Sequence, residues 1–510
     1  MAENWYTLHS SISSRRGVEF VHPSLRRLIP QYEMISDCLE GEARVKSRAE
    51  YYLPDPSPAN ERAEIRAKRY SDYIYRAVFY GVSRYTMNGL LGQIFSKPVE
   101  KTFPAELELV IDSPSGDGVG IDFQAKATCE AVLAHSRAGL LVDFPSTDGG
   151  ATAEQVLTGV VRPTITLYSA SDITNWRVED IGAEEVLTLV VLRETQWIPQ
   201  IMADDGKEDD FGLKPVIFYR VLRLVDGRAT VELWEPDTQA GGAYRVTEAF
   251  PILDHAGRPF NRIPFRFLGL STNAIVPASP AFIDLCSLNL AHYRNSADYE
   301  EACFMVGQPT PVVSGLTNEW YEKTLNGQIR FGSRGGIPLP EGGAASLLQM
   351  QPNDAILEAM RMKEAQMRAI GAKLIESNDT QKTATESRID ATSEGGILAS
   401  AAKNVSAGYL WALKECCKFL GIDDSEITFE LNSDFDITKL SADERREIVA
   451  AWQAGILAKS DVYRVYKRGG IATLPFEEAE KEIEKQQTAD LEYQAELTKA
   501  VSQATDPGAV

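Results

Sequence analysis

The stretch AFIDLCSLNLAHYRNSADYEEACF, residues 281–304, opens the part of the chain that decides the fold. Phe282, Leu285, Cys286, Asn289 and Tyr293 recur at i, i+3, i+4, i+7 and i+11, one face of an α-helix. Ser279 and Pro280 stand where an N-cap and a first-turn proline belong, and Gly307 and Pro309 close the far end. A second helix is predicted over 354–377, preceded by Pro352 and Asn353, with Glu364 and Arg368 as an i, i+4 pair on its surface. At 1.5 Å per residue each helix is about 35 Å long.

Between them lies PTPVVSGLTNEWYEKTLNGQIRFGSRGGIPLPEGGAASLLQM (309–350), rich in glycine and proline. Its pattern predicts a strand, a short helix near 318–325, and strands near 328–331 and 345–349. So small a piece cannot bury a large core of its own, so the expectation is β structure completed by a neighbouring subunit. The polar loop NDTQKTATESR (378–388) follows, without an apolar anchor. A third helix is predicted over 387–420, loosened at Gly395 and Gly396 and strongly apolar from Trp411 to Leu420.

Upstream, helices are predicted over 24–39, 62–93 and 123–136, with a proline-rich break at YYLPDPSPANE (51–61). Tyr70, Tyr73, Tyr75, Tyr80 and Tyr85 punctuate the second of these and suggest a buried packing face. IDSPSGDGVGIDF (111–123) reads as a surface turn: it is not GxGxxG, and Pro114 and Gly116 stand where an EF-hand needs oxygen ligands. RAGLLVDFP (137–145) reads as a buried strand. Five β-branched and aromatic runs, at 163–176, 186–195, 214–225, 229–236 and 264–270, make 160–270 β-rich. DGR (226–228) supplies a short hairpin turn, and MADDGKEDDFG (202–212) an acidic loop whose plainer reading is a solvated turn rather than a cation site. Downstream, ITFELNSDF (427–435) alternates as a strand, and Ser441 to Glu444 form a capping box. Helices then run to Gly455, from Ser460 to Gly469, and over 476–501, before a polar tail.

The 510 residues carry a formal charge of −21, which argues against a protein that grips nucleic acid by neutralising phosphates. Acidity suits a surface that nucleic acid must pass without sticking, and equally one that keeps a large assembly soluble. No apolar run is long enough for a membrane span, and the first residues show no secretory signal pattern. The six cysteines, Cys38, Cys129, Cys286, Cys303, Cys416 and Cys417, form no CxxC pair and read as free thiols. No P-loop, GxSxG or HExxH occurs. His9, His22, His135, His255 and His292 lie far apart, so no metal or cofactor is expected and no catalytic residue is assigned.

The order of elements, with the strings LNLAHYRNSADYE (288–300) and KTATESRIDA (382–391), resembles the portal proteins of tailed bacteriophages. The likeness runs from the aromatic helix near Tyr70 to the helices near Gly470. It implies an α+β fold in which 1–280 form a wing, 281–304 and 353–377 two stem helices, and 305–352 a clip. The loop 378–388 would line a tunnel, 389–440 supply the tunnel helix and a wing strand, and 441–510 a helical crown and tail. It further implies a ring, typically of twelve subunits, at one vertex of the virion capsid, made in the host cytoplasm. Double-stranded DNA would pass along Asn378, Asp379, Thr380, Gln381, Lys382 and Thr383 without sequence preference. Glu319, Trp320, Arg330 and Arg334 would serve docking of the terminase large subunit and a head–tail adaptor. Major capsid and scaffolding proteins would be further partners. Another head-assembly or connector protein is the nearer rival; a hydrolytic enzyme using Asp112, Asp143 and Asp254 is the more distant one.

Overall fold

A computed structural model describes residues 15–58, 60–144, 161–201, 208–237, 243–307, 310–325, 338–348, 354–375, 384–433, 435, 442–454, 458–468, 474, 476, 478–483 and 485–486. The chain divides into two compact units, Met1–Ser433 and Asp434–Val510. The fold is α+β, and its paired strands are antiparallel.

In the first unit the N-terminal helices are shorter than the sequence pattern suggests. The helix expected over 24–39 is two, Pro23–Arg26 and Ile29–Glu40, because Pro30 opens a new first turn. Asp37, 1% exposed, organises the turns of chain after it. Its carboxylate accepts from Arg44 Nε at 2.7 Å, Arg48 Nε at 2.7 Å and the Tyr52 hydroxyl at 2.6 Å. These bonds tie the helix Glu42–Ser47 and the turn beyond it back onto Ile29–Glu40.

The helix expected over 62–93 is also two, Ala63–Arg76 and Val82–Ile94. Residues 77–81 break it because their backbone is bonded elsewhere, to Ser296. The tyrosines do not share a buried face: Tyr73 is 4% exposed, whereas Tyr75 and Tyr85 are 84% and 77% exposed.

Two sheets come next. In the first, β2 (Arg137–Asp143) lies between β3 (Thr164–Ser169) and β9 (Phe265–Gly269). β2 is buried from Arg137 to Val142. The helix Ile121–His135 and the second half of the long helix Ala384–Leu420 pack on it. Gly408 lets that helix approach closely, since a Cβ there would collide with the Leu268 side chain. Tyr409, one residue on, bonds Thr128 Oγ1 at 2.8 Å and Gln124 Oε1 at 3.1 Å.

The second sheet is a meander of β4 (Ile173–Ile181), β5 (Glu184–Ile201), β6 (Glu208–Val225), β7 (Arg228–Pro236) and β8 (Tyr244–Pro251). Asp226 and Gly227, at φ 50° and 72°, form the two-residue turn the DGR string implied. β5 and β6 are longer than their apolar runs suggest, and Tyr244–Pro251 was not apparent in the sequence. β8 is largely exposed, so it lacks the alternation that marks a half-buried strand. β1 (Glu100–Thr102) pairs with β12 (Thr428–Glu430), far along the chain. The 111–123 stretch is the expected turn, with Gly116 and Gly118 at positive φ.

The second unit contains the helices Ala442–Gln453 and Lys459–Arg468, and helical residues between 476 and 486. Lys459 Nζ lies 3.2 Å from Glu480 Oε1 there.

Candidate functional site

The two long helices are Ile283–Gly307 and Asp354–Ile375, and they pack against each other. The first is held by an apolar face in its first half: Leu285, Cys286, Leu290, Tyr293 and Ala297 are buried. The second is held near its end, where Met367 is fully buried and Gly371 faces Thr86. His292, 4% exposed, brings Nε2 to 3.4 Å from Glu364 Oε1 across the pair. Burial lowers the pKa of this imidazole, against the opposing pull of Glu364.

Beyond Ala297 burial fades, and Phe304 and Met305 are 44% and 48% exposed. This outer half is braced on one side by the helix Ala63–Arg76. Tyr73 donates to Asp298 Oδ1 at 2.6 Å. Arg76 pairs with Glu301 and lies 4.4 Å above the Phe304 ring. Pro56, Ile65, Arg69, Phe304 and Met305 line a groove of about 760 Å³ beside this contact.

The insert contains β10 (Thr310–Ser314), the short helix Asn318–Lys323 and β11 (Ala344–Leu348). The two strands pair from Thr310↔Leu348 to Ser314↔Ala344. Among its described residues none is buried, and Leu347 is 66% exposed. Glu319 is exposed and bonds Lys323 Nζ at 2.6 Å. Trp320 is half-buried, its indole N–H donating to the Pro338 carbonyl at 3.2 Å, so it staples the insert's own chain together. Arg330, Arg334 and the strand expected near 328–331 lie outside the described residues, as do Asn378, Asp379, Thr380, Gln381, Lys382 and Thr383.

Two of the three carboxylates of the enzyme reading are engaged in holding structure. Asp143 pairs with Arg220 at 2.9 Å, and Arg220 Nε reaches Glu194 at 2.7 Å. Burial pushes the Asp143 carboxyl up while Arg220 pulls it back. Asp254 closes its own turn, accepting from the Ala256 and Arg258 amides at 2.9 and 2.8 Å and from Arg258 Nε at 2.7 Å. Asp112 ends a short helix. Among the described residues, no group of three or more His, Cys, Asp or Glu could hold a metal ion. No described helix is long and apolar enough to cross a membrane. Cys303 is exposed and the other five thiols are buried.

One concavity has no counterpart in the sequence pattern. Residues 16–23 lie across the meander sheet and leave a pocket of about 770 Å³, lined by Arg16, His22, Arg177, Leu189, Arg223 and Trp234 among others. Only strand register brings Arg177 and Arg223 to either side of Leu189.

A family profile described as "Domain of unknown function (DUF4055)" matches residues 281–420, the segment that spans both long helices, the insert and the third helix. No curated protein matches the chain. One solved structure, the neck of an empty GTA particle computed with C6 symmetry, aligns with a TM-score of 0.39 at 15% identity, over 77% of this chain and 90% of that chain.

Proposed function

We propose that this chain is the subunit of a portal-type ring: the channel at one vertex of a tailed-phage capsid through which the genome enters and leaves. The observation that carries the reading is a pair of long helices bearing an insert of which no described residue is buried. A module of that kind gains its stability from a neighbour or a docked partner. Each subunit's insert completing the next is a heterologous contact, which closes into a ring when the rotation between subunits closes.

On this reading 281–304 and 353–377 are stem, 305–352 is clip, and 378–388 faces the channel. Twelve copies, the terminase large subunit, a head–tail adaptor and capsid and scaffolding proteins are the partners the resemblance implies. The chain does no chemistry of its own; hydrolysis belongs to the motor that docks on it. The −21 charge supports passage of DNA rather than capture.

Mass measurement with negative-stain imaging of the purified protein tests this. A ring of about a dozen subunits around a central channel is the expected result. A compact monomer at all concentrations, with the insert folded in isolation, would overturn it.

A further inference from the structure

The meander sheet has an arginine-lined pocket near one end and an acidic joint at the other. At one end Arg177 on β4 and Arg223 on β6 flank Leu189 on β5, in register. Two strand spacings put these arginines about 10 Å apart on one face. Arg16 closes over them from the N-terminal segment. Arg223 pairs with Glu232 at 2.9 Å, whereas neither Arg16 nor Arg177 forms an ion pair among the described residues. Glu232 therefore answers one of the three cations, and no carboxylate lines the pocket beside the other two.

At the other end, β5 and β6 are joined through 202–207, which lie outside the described residues. The joining sequence, from Asp204 to Asp210, is DDGKEDD: five carboxylates against one lysine. The ladder continues from Leu189↔Arg223 to Ile201↔Glu208, so Glu208, at the root of this acidic joint, stands about 40 Å from the arginines of its own chain. A continuously paired hairpin cannot fold back over that distance. The face between the two ends is apolar. Near the pocket Leu189, Val191, Tyr219 and Val221 are buried, with Val18 packed on them. Further out, on the same face of the pleat, Ile217, Leu213 and Trp197 are 40%, 57% and 64% exposed.

We propose that the arginine pocket is the seat for the acidic β5–β6 joint of a second copy of this chain. The joint of one subunit would meet Arg16, Arg177 and Arg223 of the next, and the exposed stripe at Trp197, Leu213 and Ile217 would be covered in the same contact. The arrangement is head-to-tail, since donor and acceptor surfaces differ, and so repeats around a ring. It rests on the ring reading and adds which surfaces join the subunits.

The test is a charge swap in the full chain, read by mass photometry and sedimentation. Arg16→Glu with Arg177→Glu alters exposed, unpaired side chains, so folding should be intact by circular dichroism. This pair, and separately Asp204→Lys with Asp205→Lys, should each raise the concentration needed for assembly at least about tenfold. Combining both sets should restore assembly to within a few-fold of the unaltered protein. Rings that form equally well in either half-swap, or a combined variant that is no better than its parts, would overturn the inference and leave the ring reading standing.

If the unaltered protein stays monomeric, the ring reading fails, and a labelled peptide of residues 200–212 tests the pocket by itself. Binding that Arg16→Glu and Arg177→Glu abolish supports the inference; no binding overturns it. A pocket variant that assembles normally but loses affinity for a duplex DNA oligonucleotide would assign the arginines to DNA and also overturn it.

Discussion

The Ser296 hydroxyl lies 3.0 Å from the Val78 amide nitrogen and 2.7 Å from the Val78 carbonyl oxygen, joining positions 218 residues apart. It also lies 2.7 Å from the Tyr293 carbonyl one turn back. One buried hydroxyl thus takes the place of the helical bonds that Val78 would otherwise make. This is why 62–93 is not a single helix, and why the first long helix has a fixed footing on the body.

Ser296→Ala removes the acceptor of the Val78 amide and the single proton that the Val78 and Tyr293 carbonyls share. The expected cost is about 1–3 kcal/mol. The denaturant midpoint should fall with an unchanged slope. A midpoint equal to that of the parent would show that the 77–81 segment is held by Phe79 packing alone.

Asp37 is the more severe case. Its carboxylate compensates two arginines and a tyrosine at a site that is 1% exposed. Asp37→Ala takes the shared acceptor from Arg44, Arg48 and the buried Tyr52 hydroxyl, while the partly exposed arginines keep Glu40 and Glu33, and should cost about 3 kcal/mol at about 1 kcal/mol per bond. Burial and the Asp37 carboxylate together hold the Tyr52 hydroxyl above its ordinary range, so that tyrosine stays a donor. Tyr52→Phe, which removes one donor only, should cost less. Thermal melts of the two variants give the order, and equal losses would contradict it.

His135 makes stability depend on pH. Burial pulls its pKa down from 6.5 to about 4, with Ser36 Oγ 3.1 Å from Nε2. The unfolded chain therefore binds a proton between these values and the folded chain does not. The contribution is fully present above pH 6.5 and is lost as pH falls towards 4, a swing of about 3 kcal/mol at 1.36 kcal/mol per unit. Denaturation curves across that window should show the loss. In His135→Gln this component should vanish, leaving the slope due to the carboxylates and to His22 and His292, whose pKa values burial also lowers.

The long helices were legible because they bury one face over several turns. The helix expected over 281–304 runs Ile283–Gly307, and that expected over 354–377 runs Asp354–Ile375. The break at 77–81 was not legible, because its cause is a hydroxyl more than two hundred residues away. β1 and β8 were missed for a related reason: Glu100–Thr102 exists only through pairing with Thr428–Glu430, and Tyr244–Pro251 has little apolar signal. The arginine pocket needed strand register, which single runs of sequence do not reveal.

Removing 378–383 tests the channel assignment. These residues precede the helix Ala384–Leu420, whose described buried residues run from Leu398 and Ala401 onward. With those residues holding the helix, ring formation should survive the deletion. Packaging or retention of DNA should fall, read as the fraction of filled particles. Loss of rings would show that the segment joins subunits rather than facing the channel.

Replacing 308–353 with a short glycine–serine linker tests the docking assignment. The insert contributes no buried residue among those described, so its removal takes little apolar area from the body. The helices that carry it keep their own footing through Leu285, Leu290, Tyr293 and Met367. Helical circular dichroism should persist, and the melting temperature should fall by no more than a few degrees. Docking of the packaging motor and of the adaptor, measured by co-sedimentation, should be lost. If both still bind, the docking surface lies elsewhere. If instead the body unfolds, the insert supplies stability that its exposed side chains give no sign of.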